Sequence, residues 1–172
     1  MKAKWKIVLR VPCCMLLMTV MYVLQTAFGA HMRVFGGGLD FLPILTAAVG
    51  MCMGSSAGLV CGLYAGILYD LGAGIEGLFP MYYMFWGILC GYIGEHTRHL
   101  RALWTAGCAF GMGIVLFPLR YLFFYQFEGA GLEVFYGYIL LRAVLTLVFA
   151  PIVYQLLTWL FGKKPTAAQQ EV

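Results

Sequence analysis

Charge is what this sequence has least of. Asp, Glu, Lys and Arg make up 10% of its 172 residues, against about 25% in an average soluble domain. A chain of this length ordinarily forms one domain. Here 63% of the residues are hydrophobic, leaving too little polar surface to coat a water-soluble globule. That composition argues against a cytosolic enzyme, a secreted disulfide scaffold and a nucleic-acid-binding domain. The expected solvent for most of the chain is lipid. Catalytic patterns are missing as well: there is no H-E-x-x-H, G-x-S-x-G or Walker sequence, and the two aspartates, Asp40 and Asp70, lie in separate segments. Glu95-His96 beside Arg98-His99 reads most simply as a solvated turn, so no enzymatic activity is expected. None of the six cysteines forms a C-x-x-C pair; all lie in apolar runs and read as small packing residues. Met51-Cys52-Met53 is a soft-ligand tripeptide, but neighbours on a helix point apart, so no metal or other cofactor is expected.

What the sequence has in abundance is long apolar segments. About 20 apolar residues cross the roughly 30 Å of bilayer hydrocarbon, fewer where a helix is short or packed inside a bundle. Helices are expected at about residues 11–28, 41–53, 57–71, 78–94, 103–125 and 135–161, with 163–172 a short cytoplasmic tail. The first segment follows Lys2, Lys4, Lys6 and Arg10 and also has the form of a secretory signal, with Ala27-Phe28-Gly29 a weak cleavage site. Because the downstream chain is itself apolar, the segment is expected to be retained. The run from Phe41 to Leu71 is too long for one span, and Gly54-Ser55-Ser56 divides it. With the N-terminus inside, six crossings place eight of the eleven Lys and Arg residues at cytoplasmic ends, as the positive-inside rule requires. Five crossings would put Arg98 and Arg101 outside. A re-entrant hairpin over residues 41–71 keeps the same parity and stays open. The expected fold is therefore an all-α integral, multi-pass membrane protein, a compact bundle of about six helices with both termini in the cytoplasm. Trp5, Trp104 and Trp159 fall near the inner boundary, while Tyr121, Phe124, Tyr125, Tyr136 and Tyr138 gather near the outer one. That outer rim reads either as an aromatic belt or as a docking surface.

Gly58, Gly62 and Gly66 recur every four residues and are followed, four further on, by Asp70. Such positions lie near one face of a helix, and glycine there lets another backbone approach closely. Gly87/Gly91 and Gly107/Gly111 repeat the spacing. Two readings are open: tight packing within the bundle, or a face that receives a helix of another protein. Asp70 falls at the outer end of the third segment, where the helix dipole and the membrane both disfavour a carboxylate. Arg120 and Arg142 are the cations available to compensate it. An ion pair, a partner-binding or gating role, and a proton relay are the alternatives.

The chain resembles the bacterial MreD rod-shape-determining family over nearly its whole length. The resemblance is carried by Leu24-Gln25-Thr26 closing the first helix and Asp40-Phe41-Leu42-Pro43 opening the second. It continues through Gly58-Leu-Val-Cys-Gly-Leu-Tyr-Ala-Gly-Ile-Leu-Tyr-Asp70, Gly72, Gly74 and Gly77, and Gly91-Tyr92. It departs from the family in separating Asp40 from Pro43. The resemblance implies a non-enzymatic membrane scaffold subunit of the cell-elongation complex. Such a subunit would associate with MreC and, through it, with RodA, a class B penicillin-binding protein and the MreB filament, with membrane lipid around it and no nucleic acid. Gln25, Gly58, Gly62, Gly66, Asp70, Gly77 and Gly91 become candidates for helix packing or partner binding. Substrate-capture subunits of energy-coupling-factor vitamin transporters are similar in architecture and stand as the rival. They dock a coupling subunit through small residues on the first helix, where this chain has Cys13-Cys14-Met15-Leu16-Leu17-Met18.

Overall fold

The computed structural model describes residues 2–29, 40–73, 77–97, 100–120 and 132–161. Among them every regular element is a helix and no strand occurs: α1 (Lys2–Gly29), α2 (Phe41–Met53), α3 (Ser55–Ala73), α4 (Leu78–His96), α5 (Arg101–Arg120) and α6 (Leu132–Phe161). The expected ends of α2 coincide with the observed ones. α1 instead begins at Lys2 rather than near residue 11, because Lys and Arg are good helix formers and the helix runs on through the basic stretch that limits the apolar one. The fifth helix, expected to reach residue 125, is described as far as Arg120; residues 121–131 lie outside the described part.

Cross-helix contacts fix the directions. Cys14 of α1 lies beside Met53, with sulfur to sulfur 3.9 Å, while Gln25 meets Asp40 at 2.6 Å, so α1 and α2 are antiparallel. Thr19 bonds Tyr64 and Tyr22 lies against Gly72, so α3 runs with α1. α4 descends along α3, Gly58 opposite Gly87 and Gly66 opposite Pro80. α5 climbs along α4, with Tyr82 donating to the Met112 carbonyl and Trp86 over Gly111. Phe149 of α6 packs edge-on to Phe41 and Tyr154 reaches Arg101, so α6 descends again. Six helices thus alternate up and down.

α2 is the axis of the bundle. Every residue from Leu42 to Cys52 is buried, which explains a run without polar alternation. At about 1.5 Å per residue its 13 residues reach only about 20 Å, short of a bilayer core. Its neighbours enclose it. Gly54, with φ 90°, is the single residue between α2 and α3; a side chain would be strained in this left-handed region, and glycine is not. Around the axis, Tyr69, Phe79 and Tyr83 form an aromatic core with ring centroids 4.6 and 5.6 Å apart, centred on Tyr69.

The outward faces are apolar too. α1 exposes Leu16, Val20, Val23 and Leu24; α3 exposes Val60, Leu63, Ile67 and Leu71; α6 exposes Leu147, Val148, Ile152 and Leu156. By length and composition one described helix, α1 over Arg10–Ala27, is long and apolar enough to cross a membrane; Phe41–Met53, Arg101–Leu116 and Leu145–Leu160 are shorter apolar stretches.

Candidate functional site

The most closely built part of the molecule is the hairpin of α3 and α4, sealed by glycine and clamped at both ends. A Cβ placed on Gly62 would lie 3.0 Å from the Tyr83 carbonyl carbon and closer still to its oxygen; one on Gly66 would lie 2.7 Å from the Phe79 oxygen. Gly58 and Gly87 face each other so closely that a Cβ on either would overlap the other's carbonyl. Below them Gly91 sits on Gly54 and Ser55, Gly94 on Met51, and Gly50 on Gly87. The glycine face of α3 is therefore occupied by α4 of the same chain. Backbone lies against backbone, so dispersion acts at short range along the whole seam. A helix from another protein has no room on that face.

Asp70 clamps the upper end. Its Oδ2 accepts the Gly77 backbone N–H at 2.7 Å. Gly77 adopts φ 91° as the residue preceding α4, so the carboxylate of α3 satisfies an N–H that a helix start leaves without an intrahelical partner. The positive end of the α4 dipole then offsets the unfavourable end of α3. The expected compensation by a cation is thus supplied, in part, by backbone. Oδ1 is buried without a hydrogen-bond partner among the described residues. Arg120 and Arg142 belong to α5 and α6, but their side chains lie outside the described part, as do Tyr121, Phe124 and Tyr125 altogether and the side chains of Tyr136 and Tyr138.

Gln25 performs a related task between α1 and α2. Its Nε2 donates to Asp40 Oδ1 at 2.6 Å, and its Oε1 accepts the Phe41 N–H at 3.0 Å. One amide therefore holds both the residue that precedes α2 and the first N–H of that helix. Gln25 is engaged inside the chain.

Glu95 makes the third clamp, at the lower end. Its carboxylate accepts the Ser55 N–H at 3.2 Å and the Ser55 hydroxyl at 3.3 Å, which places a negative charge at the start of α3. Sequence reasoning read Glu95 as part of a solvated turn and missed this role. The signal that could have found it is an acid about one hairpin length from a Gly-Ser break, since α4 must return to where α3 began. Gly50 and Gly94 were also missed; neither belongs to a four-residue glycine series on its own helix.

Of the cysteines, Cys14, Cys52, Cys61, Cys90 and Cys108 are buried and Cys13 is exposed, all as free thiols. No group of three or more His, Cys, Asp or Glu able to hold a metal occurs among the described residues. What the arrangement offers chemically is shape: a stiff two-helix blade with its ends pinned. No family model matches the chain, and neither a curated protein nor a solved structure matches it.

Proposed function

We propose that the chain is a multi-pass protein of a bacterial cytoplasmic membrane and serves as a non-enzymatic scaffold subunit of the cell-elongation complex, associating with MreC and the wall synthases. The observation that carries the membrane part is a bundle apolar both inside and outside. A water-soluble helix keeps a polar outer face, whereas one apolar all round is buried in a larger protein or in lipid. Alternating helix directions support the even number of crossings that the positive-inside argument requires. Trp104 and Trp159 are both exposed at the lower end of the bundle, near Arg101 and the end of α6, where tryptophan favours the membrane interface.

The scaffold part rests on the resemblance to the MreD family together with the sealed hairpin. The residues that carry the resemblance are the ones holding the bundle rigid: Gln25, Gly58, Gly62, Gly66, Asp70, Gly77 and Gly91. Their task in this reading is to fix the shape that partners recognise, while the contacts with MreC are made elsewhere, at the outer aromatic rim. The test is affinity purification of the tagged chain from its native membrane in mild detergent, with mass spectrometry of what accompanies it. Recovery of MreC, RodA and a class B penicillin-binding protein supports the scaffold. Recovery of a coupling subunit with paired ATPases overturns it in favour of vitamin capture.

A further inference from the structure

The sulfurs of Met51-Cys52-Met53 point apart along α2, and the fold gives one of them a partner on another helix. The S–H of Cys14 on α1 donates to the thioether of Met53 at the end of α2, sulfur to sulfur 3.9 Å. Met18 follows Cys14 by four residues on the same stripe of α1. Helical side chains lean back toward the N-terminus, so Met18 leans toward Cys14. Cys14 and Met18 are both fully buried. Met53 is only half-buried, and Ser56 just beyond the Gly54 turn is exposed, so the group is reached from the lower end of the bundle through Met53. His, Cys, Asp and Glu form no cluster of three able to hold a metal among the described residues, but a thioether is a metal ligand as well.

We infer that Cys14, Met53 and Met18 form a binding site for one soft monovalent cation, cuprous copper. Thiolate and thioether sulfur are the ligands that select Cu(I). Two metal–sulfur bonds of about 2.3 Å, the length that thiolates make to zinc, enclose an angle of about 116° when they span the 3.9 Å gap. That angle is close to trigonal and leaves the third position for Met18. Charge decides between metals. One thiolate and two neutral thioethers cancel a single positive charge, so Cu(I) leaves the buried site neutral. Zn(II) would leave one charge without compensation, which is costly away from water, and would lack a fourth ligand. Binding exchanges a proton for the metal: the Cys14 S–H bond breaks, the Cu–S bond forms and the proton leaves to water at the lower end. The oxidation state of copper does not change. The bound ion ties α1 to the end of α2, whatever partners the chain has.

The experiment titrates the full chain, purified anaerobically in mild detergent, with Cu(I) supplied as its coloured bicinchoninate complex. The chain is expected to take one Cu(I) from the complex, and X-ray absorption at the copper edge to find sulfur at about 2.3 Å. Zn(II) is expected to wash out. Met53→Leu and Met18→Leu conserve volume and keep the fold, and each should weaken retention at least about tenfold. Cys14→Ser should abolish it, while Cys13→Ala, at the exposed neighbour, should leave it unchanged. The two methionine variants decide the matter if Cys14→Ser does not fold. Failure to take copper from bicinchoninate, undiminished retention in Met53→Leu, or Zn(II) held as firmly as Cu(I) would each overturn the proposal.

Discussion

The same substitution should have opposite signs at two glycines of this bundle. In a helix interior Gly→Ala is ordinarily favourable by about 1 kcal/mol. At Gly107 a Cβ meets nothing within 4 Å, so Gly107→Ala should collect that gain or be neutral. At Gly62 the new carbon would lie 3.0 Å from the Tyr83 carbonyl carbon and inside contact with its oxygen. Both obstacles are backbone, which cannot rotate away. The helices must therefore separate by roughly 0.5–1 Å, a gap that forfeits a quarter to a half of each dispersion well. If about 50 close atom pairs line the seam at about 0.15 kcal/mol each, roughly 2–4 kcal/mol is lost there. Less the helix-propensity gain, Gly62→Ala should cost about 1–3 kcal/mol, and Gly62→Leu more. The assay is denaturant or thermal unfolding of the purified chain in one detergent, followed by circular dichroism, with both variants measured beside the wild type. Gly62→Ala as stable as the wild type, or Gly107→Ala as damaged as Gly62→Ala, would refute the argument from backbone contact.

Three further outcomes follow from the clamps and from one strained residue. Asp70→Ala removes a charged acceptor from the Gly77 N–H and should lower stability by about 1.5–3 kcal/mol; Asp70→Asn keeps an acceptor and should lose less, so equal losses in thermal unfolding would contradict the hydrogen-bond role. Gln25→Ala breaks the bonds to Asp40 and Phe41 and should speed amide hydrogen exchange at the start of α2, while leaving the α3–α4 seam protected; unchanged exchange at Phe41 would sink it. Leu100 precedes α5 at φ 56°, a left-handed conformation costing a non-glycine residue about 1–2 kcal/mol. Leu100→Gly should therefore raise the unfolding midpoint, and a lower midpoint would show that its exposed side chain contributes more than the strain costs.

How much of this was legible in the sequence depends on the range of the interaction. The helices could be read because apolar runs and glycine breaks are local signals; Gly54 marked the α2–α3 boundary because only a break divides a run too long for one element. The four-residue spacing of Gly58, Gly62 and Gly66 showed a smooth face but not what covers it, since Gly87, Tyr83 and Pro80 are distant in sequence and the register of α4 is set by packing. Asp70 shows the same limit. Its position at the end of α3 predicted a cost, and the search for relief turned to Arg120 and Arg142 because cations are visible in a sequence. The relief that the structure describes, the Gly77 N–H, is a backbone group at a helix start and carries no residue-type label. Asp70 and Glu95 follow one logic: each carboxylate accepts a backbone N–H at the beginning of another helix, α4 or α3. In a chain so poor in charge, helix starts supply partners that side chains do not. A sequence reading of such chains therefore gains by first asking which helix begins beside each acid.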